Sequence, residues 1–248
     1  MTAAISPSRW RHAQECQLRY QERKQSSFVG REEVIEASAR RRSEAVHALL
    51  AERGHLRDGV VAEVGAGAHG LIWRWPGAAT TRVAVDPLAG FYREAFGYLQ
   101  DGPVVSLAAR GEELPLAGSV ADLVLSDNVV DHAADPARFV RECGRILKPD
   151  GRLYFTVDTH HRLWRWSAMA YNRLHDAGVR LRVPAFPDHP FHLTERDVTA
   201  LFDAAGLRIL WMERDPPPRP RVGRARPYDA LKHVFFKNAR LQIIAGRA

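Results

Sequence analysis

Between residues 60 and 157, short apolar runs alternate with amphipathic stretches, the rhythm of a parallel sheet covered by helices. The runs at 60–64, 82–85, 104–107, 122–126 and 152–157 predict strands. Each is short and rich in Val, Leu or Ile, as expected where both faces of a strand are buried. Residues 91–99 and 137–147 carry helical spacing. The second of these opens on Asp135-Pro136, an N-cap followed by proline at the first helical position, and Lys148-Pro149-Asp150-Gly151 stops it.

Outside this stretch the pattern changes. A polar, helix-prone segment covers 8–54, and its last part places Ala45, Val46, Leu49 and Leu50 on one face before Gly54, a C-cap residue. Residues 160–190 break the strand–helix rhythm with Trp164, Trp166, Tyr171, Phe186 and several histidines. Regularity returns at Thr194-Glu195-Arg196-Asp197, which resembles a capping box, with a helix to Gly206 and strands at 207–212 and 241–244. Pro216-Pro217-Pro218 and the basic stretch after it predict a loop. This divides the chain into an N-terminal helical lid over 1–54 and a core over 55–248, with a lid insertion at about 160–190.

Composition narrows the class. The chain has 248 residues, 46% of them hydrophobic, enough for one sizeable α/β core. Its apolar runs fall short of the roughly 18 residues that cross a bilayer, and no apolar stretch of signal-peptide type follows the N-terminus. Cys16 and Cys143 form neither a disulfide framework nor a thiolate metal site, so the reading is a cytoplasmic protein without membrane partners. The net charge of +7 and pI of about 9.8 invite a nucleic-acid reading. The arginines, however, are spread along the chain or sit in two local runs, 40–42 and 219–226, so nucleic acid is not the expected partner.

The first predicted strand runs into Glu63-Val64-Gly65-Ala66-Gly67-Ala68-His69-Gly70. Glycines allow a sharp turn and close approach of a ligand, and a helix N-terminus after them favours an anionic group. These residues also satisfy the dinucleotide fingerprint, so a nicotinamide enzyme fits them equally. Asp86 ends the second strand beside this loop, where a carboxylate accepts hydrogen bonds from both ribose hydroxyls.

Discrimination comes further along. Gly111-Glu112-Glu113-Leu114-Pro115 precedes Asp122-Leu123-Val124, then Ser126-Asp127-Asn128-Val129-Val130-Asp131-His132, then Leu147-Lys148-Pro149-Asp150-Gly151. With the glycine loop and Asp86, this order resembles the class I methyltransferases of type 11, whose core reads E/D-x-G-x-G-x-G, a strand-two acid, E-x-L-P, N-x-x-x-H and L-K-P-G-G. The resemblance covers about 60–157 and, weakly, 192–210. It implies a Rossmann-like, doubly wound, mostly parallel seven-stranded sheet with helices on both faces and an antiparallel last strand. It also implies S-adenosyl-L-methionine as cofactor. Glu63, Gly65, Ala66 and Gly67 would lie along its methionine part, Asp86 would hold the ribose, and Pro87 and Leu88 would pack near adenine. Gly111 and Glu112 would border the adenine edge, and Ser126, Asp127 and Asn128 would line the floor under the sulfonium. Arg110 stands where the family carries an Asp for the adenine amino group; either backbone holds adenine here or the register slips by one residue.

Methyl transfer is an in-line displacement on carbon already activated by a positive sulfur, so alignment and exclusion of water supply much of the rate. A hydroxyl acceptor benefits from a base. His132 occupies the family's histidine position after strand four, as a catalytic group or as one that shapes the cofactor floor. His160 and His161 leave strand five at the sheet's carboxyl edge, where sites of this topology lie. No HxxxH sits on a helix with a supporting acid, so no metal is predicted. The aromatic residues of 160–190 suit stacking on an acceptor ring or an amphipathic helix, with Arg162, Arg165 and Arg173 on a carboxylate or in solvent. The expected function is methyl transfer to an O or N atom of a small-molecule acceptor. The alternatives are an RNA or protein acceptor met by the basic face, or a cofactor-binding partner protein without turnover.

Overall fold

The computed structural model describes residues 4–100, 102–179, 181, 183, 186, 187, 189–215 and 237–248. Two helices lead, α1 (Pro7–Phe28) and α2 (Glu32–Glu52). The core follows as β1 (Val60–Val64), β2 (Thr81–Val85), α3 (Ala89–Phe96), β3 (Val104–Leu107), β4 (Ala121–Asp127), α4 (Pro136–Ile146) and β5 (Leu147–His160). Then come α5 (Arg162–Asp176), α6 (Glu195–Ala204), β6 (Leu207–Asp215) and β7 (Lys237–Arg247). The sheet has seven strands in the order β3-β2-β1-β4-β5-β7-β6. The first five pair in parallel, and β7 runs antiparallel to both β5 and β6. The predicted sheet is therefore observed, with its last strand inserted between β5 and β6.

Period-two alternation fills both faces. Ala62, Val64, Val124, Leu153, Phe155 and Val157 pack with Phe139, Val140 and Ile146 of α4 and Val198 and Phe202 of α6. Their neighbours Val61, Leu123, Leu125 and Tyr154 pack on the opposite side with Val46 and Leu50 of α2 and with Leu71, Ile72, Trp73 and Trp75. Helix ends follow the sequence signals. Asp135 caps α4 by accepting from Ala137 and Arg138 N–H, Pro136 opens it, and Thr194 and Asp197 form a capping box on α6. Each such cap stabilises by about 1 kcal/mol.

Four details depart from the sequence reading. The glycine loop enters a single 3-10 turn, Leu71–Arg74, and no long helix. Strand β5 begins at Leu147, with 148–151 looping out where its register against β4 shifts between Ala121 and Leu123. Helix α3 starts at Ala89, and 97–99 forms a 3-10 turn. The irregular segment after β5 contains α5. The predicted loop at 216–218 and the basic run 219–226 lie outside the described residues.

Candidate active site

Strand order reverses between β1 and β4, and ligands of open α/β sheets bind in the crevice at such a switch point, outside the carboxyl ends of the strands. Here Gly65 and Ala66 N–H donate to Val85 O at 2.7 and 3.3 Å, closing the loop after β1 onto the end of β2. Asp86 ties the two loops together. Its Oδ2 accepts from Gly67 N–H at 3.0 Å and its Oδ1 from Leu88 N–H at 2.8 Å. Gly65 has φ of +81°, and a Cβ there would lie 2.3 Å from the Val129 side chain, so only glycine fits. Gly67 differs: φ is +55° and a Cβ would meet nothing within 4 Å, because that direction opens into the crevice.

Glu63 corrects one expectation. The N–H groups after the glycine loop are not free for an anion, because Leu71 N–H donates to its Oε1 at 3.1 Å and Ile72 N–H to its Oε2 at 2.8 Å. Burial pushes its pKa up to about 8, although those backbone donors favour the charged form. Asp86, open to the crevice but enclosed by protein, is likewise pushed up to about 6 by desolvation.

The crevice holds a cavity of about 320 Å³. Glu63, Gly65, Ala66 and Gly67 border it, as do Asp86, Pro87, Leu88, Gly111, Glu112, Asp127 and Asn128. Ser126 is fully buried in β4 and does not border it. Glu112 Oε1 accepts from Ala134 N–H at 2.5 Å, which fixes the loop after β4 against the loop after β3.

The opposite wall comes from α1 and α2, within the segment expected as a lid, but the sequence reading named none of its lining residues. Trp10, Gln14, Gln17, Gln21 and Lys24 line the cavity at spacings of one helical face, with Arg42 of α2 beside them. The signal available was a polar stripe at helical period in a helix without a strong apolar one. Gln21 is buried, and its Oε1 has no hydrogen-bond partner. Lys24 Nζ lies 3.4 Å from His69 Nε2. Burial, with Lys24 and Arg42 adding to it, pushes His69 down to about 3 and keeps it neutral, while burial and Arg42 lower Lys24. Arg110 stacks on Trp10, its guanidinium 4.2 Å from the ring centre, and reaches Glu112 Oε1 at 3.4 Å.

Of the three candidate histidines, only His132 borders the cavity. His160 ends β5 buried, its N–H bonded to Leu193 O and its ring 4.5 Å from that of His192. His161 is exposed at the N-cap of α5. The aromatic residues expected over an acceptor pack on one another: Trp164 and Tyr171 meet Phe186 at 4.5 and 5.4 Å, and Trp166 is 59% exposed. The Tyr171 ring lies 5.3 Å from the guanidinium of Arg9, fully buried, which donates to Asn172 Oδ1 and to Phe186 and Pro187 carbonyls. Arg162, Arg165 and Arg173 do not border the cavity, and Arg165 pairs with Asp197 at 2.8 Å.

A second cavity, of about 210 Å³, adjoins the first and shares Arg42, Asp127 and Arg240 with it. Its other walls are Ala45, Val46 and Leu49 of α2 and the polar row Tyr154, Thr156, Asp215 and Gln242. Thr156 Oγ1 donates to Asp127 Oδ1 at 2.6 Å, and Gln242 Nε2 to Asp215 Oδ2 at 2.6 Å. Residues from α2 and six positions on four strands meet here, so no local motif could announce it.

Strand order, glycine turn and strand-two acid together define the class I methyltransferase fold, and residues 62–155 match the methyltransferase domain family. Residues 62–155 thus form a methyltransferase domain on the class I fold. A 97-residue stretch is 32% identical to a Mycolicibacterium smegmatis protein named as an S-adenosylmethionine-dependent methyltransferase, covering 39% of this chain and 32% of that one. A 68-residue stretch is 37% identical to the ubiquinone biosynthesis O-methyltransferase of Rhizobium rhizogenes, 27% of either chain. The aligned stretch thus spans a third or less of these relatives' length. In fold the chain is similar to geranyl diphosphate C-methyltransferase of Streptomyces coelicolor, solved with Mg2+, geranyl diphosphate and S-adenosyl-L-homocysteine. The TM-score is 0.60 over 88% of this chain and 83% of that one, at 14% identity. No described helix is long and apolar enough to cross a membrane.

Proposed function

We propose that this chain transfers the methyl group of S-adenosyl-L-methionine to an oxygen or nitrogen atom of a small-molecule acceptor. The observation that carries the reading is the pair of adjoining cavities that share Arg42, Asp127 and Arg240. The larger suits the cofactor. Asp86 offers its carboxylate to the ribose, Lys24 and Arg42 offer charge to the methionine carboxylate, and Gln21 Oε1 is a buried acceptor waiting for a donor. Gly67 leaves open the space that a ligand backbone needs. The smaller cavity has room for a modest ring or chain, with an apolar wall from α2 and a polar floor from β5, β6 and β7. Helix α1 forms a wall of the cofactor cavity, and the closed site excludes water and holds the methyl in line with the acceptor. His132 is the histidine presented to that cavity.

The test is a turnover assay that follows release of S-adenosyl-L-homocysteine across panels of small phenols, acids and amines, with tRNA and unfolded protein as competing panels. Turnover confined to small molecules is expected. Turnover on RNA or protein alone assigns a macromolecular acceptor. Cofactor binding without turnover on any panel supports the partner-protein alternative.

A further inference from the structure

At the edge of the cofactor cavity, three chemically matched side chains converge. Asp131 and His132 lie on the 3-10 turn Val130–His132 directly after β4, and His189 comes from the chain that precedes α6. One ligand atom from each lies within 4.8 Å of the other two. The backbone holds the two segments together through Phe191 N–H to Asp131 O at 3.3 Å. The His132 and His189 rings are 4.3 Å apart, tilted by 39°.

Asp131 is 4% exposed and spends one oxygen on His189, with Oδ2 at 2.7 Å from Nδ1. Its other oxygen, Oδ1, is buried and has no hydrogen-bond partner. A buried carboxylate oxygen left unsatisfied costs about 1–3 kcal/mol or more, and such an atom marks the place of an ion or water. Next to this group, His192 is buried with both ring nitrogens unpartnered, its ring 6.4 Å from that of His189.

We infer that Asp131, His132 and His189 form a binding site for a divalent transition-metal ion. Two imidazoles and one carboxylate suit Zn2+, Fe2+, Co2+ or Ni2+, whereas Mg2+ and Ca2+ prefer all-oxygen sets. Ligand atoms about 3.3 Å apart satisfy tetrahedral bonds of about 2.0–2.1 Å. The present spacings, 2.7 Å between Asp131 Oδ2 and His189 Nδ1 and all within 4.8 Å, adjust to that by rotation of the partly exposed His189, the cation replacing the proton between His189 and Asp131. Because His132 also borders the cofactor cavity, the ion would stand at its rim, where a Lewis acid lowers the pKa of an acceptor oxygen bound to it. Metal binding needs neither cofactor nor acceptor, so this inference stands or falls apart from the methyl-transfer reading.

The experiment is calorimetric titration of the chelator-treated full chain with Zn2+ and with Mg2+, paired with the visible spectrum after Co2+ addition. One saturable Zn2+ site is expected, with Co2+ ligand-field bands and no comparable Mg2+ uptake. His189→Ala and Asp131→Asn should each weaken Zn2+ at least tenfold and remove the Co2+ bands, while His55→Ala, remote from the cluster, should leave both unchanged. Should Asp131→Asn fail to fold, His189→Ala and His189→Gln, at a partly exposed side chain, carry the test alone. Absence of saturable Zn2+ binding, Zn2+ affinity unchanged in the His189 variants, or a preference for Mg2+ overturns the proposal.

Discussion

Two walls of one cavity are built on different principles. The wall at β1 and β2 is made of residues close in sequence, held by backbone: Gly65 and Ala66 bond to Val85, and Asp86 bonds to Gly67 and Leu88. The wall at His132 is made of side chains far apart in sequence, with Asp131 meeting His189 and that segment resting on α5 through Arg9 and Asn172. The first arrangement tolerates little change at Gly65 and Asp86, because the N–H groups of Gly65, Ala66, Gly67 and Leu88 have fixed partners. The second depends on loops whose partners are side chains, so substitutions there alter chemistry before they alter the fold. Backbone-built sites give recognition that many sequences share; side-chain-built sites are where an individual chain differs.

The largest expected effect falls on the first wall. Gly65→Val should destabilise the protein by several kcal/mol, since overpacking against Val129 adds to strain at φ of +81°. Thermal unfolding measures this, and a variant as stable as the parent would mean that the turn after β1 is built otherwise.

Next comes Asp86. Replacement by Ala should weaken cofactor binding by about 1.5–3 kcal/mol, roughly ten- to a hundredfold, the scale of hydrogen bonds to a charged group. Its pH behaviour sharpens the assignment. Burial raises Asp86 to about 6, so the carboxylate proposed to accept from the ribose is lost as pH falls through 6, and affinity should fall with it. Folding runs the other way. A carboxyl raised in the folded state contributes stability below its unfolded pKa, and that contribution is lost as pH rises through 6 for Asp86 and through 8 for Glu63. Titrations of S-adenosyl-L-homocysteine between pH 5 and 8 that show flat affinity would remove Asp86 from the ribose.

The smallest effect is at the rim. Arg110 stacks on Trp10, a contact of about 0.5–1 kcal/mol at an accessible site, so Arg110→Ala should weaken cofactor binding only about two- to fivefold through α1. A loss beyond a hundredfold would show that Arg110 contacts the cofactor directly.

The same contrast explains what could be read from the sequence. Seven strands, the capped helices α4 and α6 and the residues of the glycine loop follow from local pattern, because period-two burial and capping are written within a few residues. Within the expected N-terminal lid, the lining residues of α1 were hidden because a polar face at helical spacing is ordinary on a solvent-facing helix; only the fold shows that Gln17, Gln21 and Lys24 face a cavity. Trp166 misled in the other direction, as an aromatic residue that the fold leaves in solvent. The pairing of Asp131 with His189 spans 58 positions and belongs to no motif spacing.

Calorimetric titration of the purified chain with S-adenosyl-L-homocysteine and with NAD, repeated on Gly67→Val, tests the central claim most directly. A Cβ at Gly67 meets no protein atom within 4 Å, so the cost to folding is backbone strain at φ of +55°, about 1–3 kcal/mol, while the side chain fills the space of the ligand. The account predicts one S-adenosyl-L-homocysteine per chain in the parent, no NAD binding, and at least a hundredfold loss of affinity in folded Gly67→Val. Unchanged affinity in that folded variant, or NAD bound in place of S-adenosyl-L-homocysteine, would contradict it.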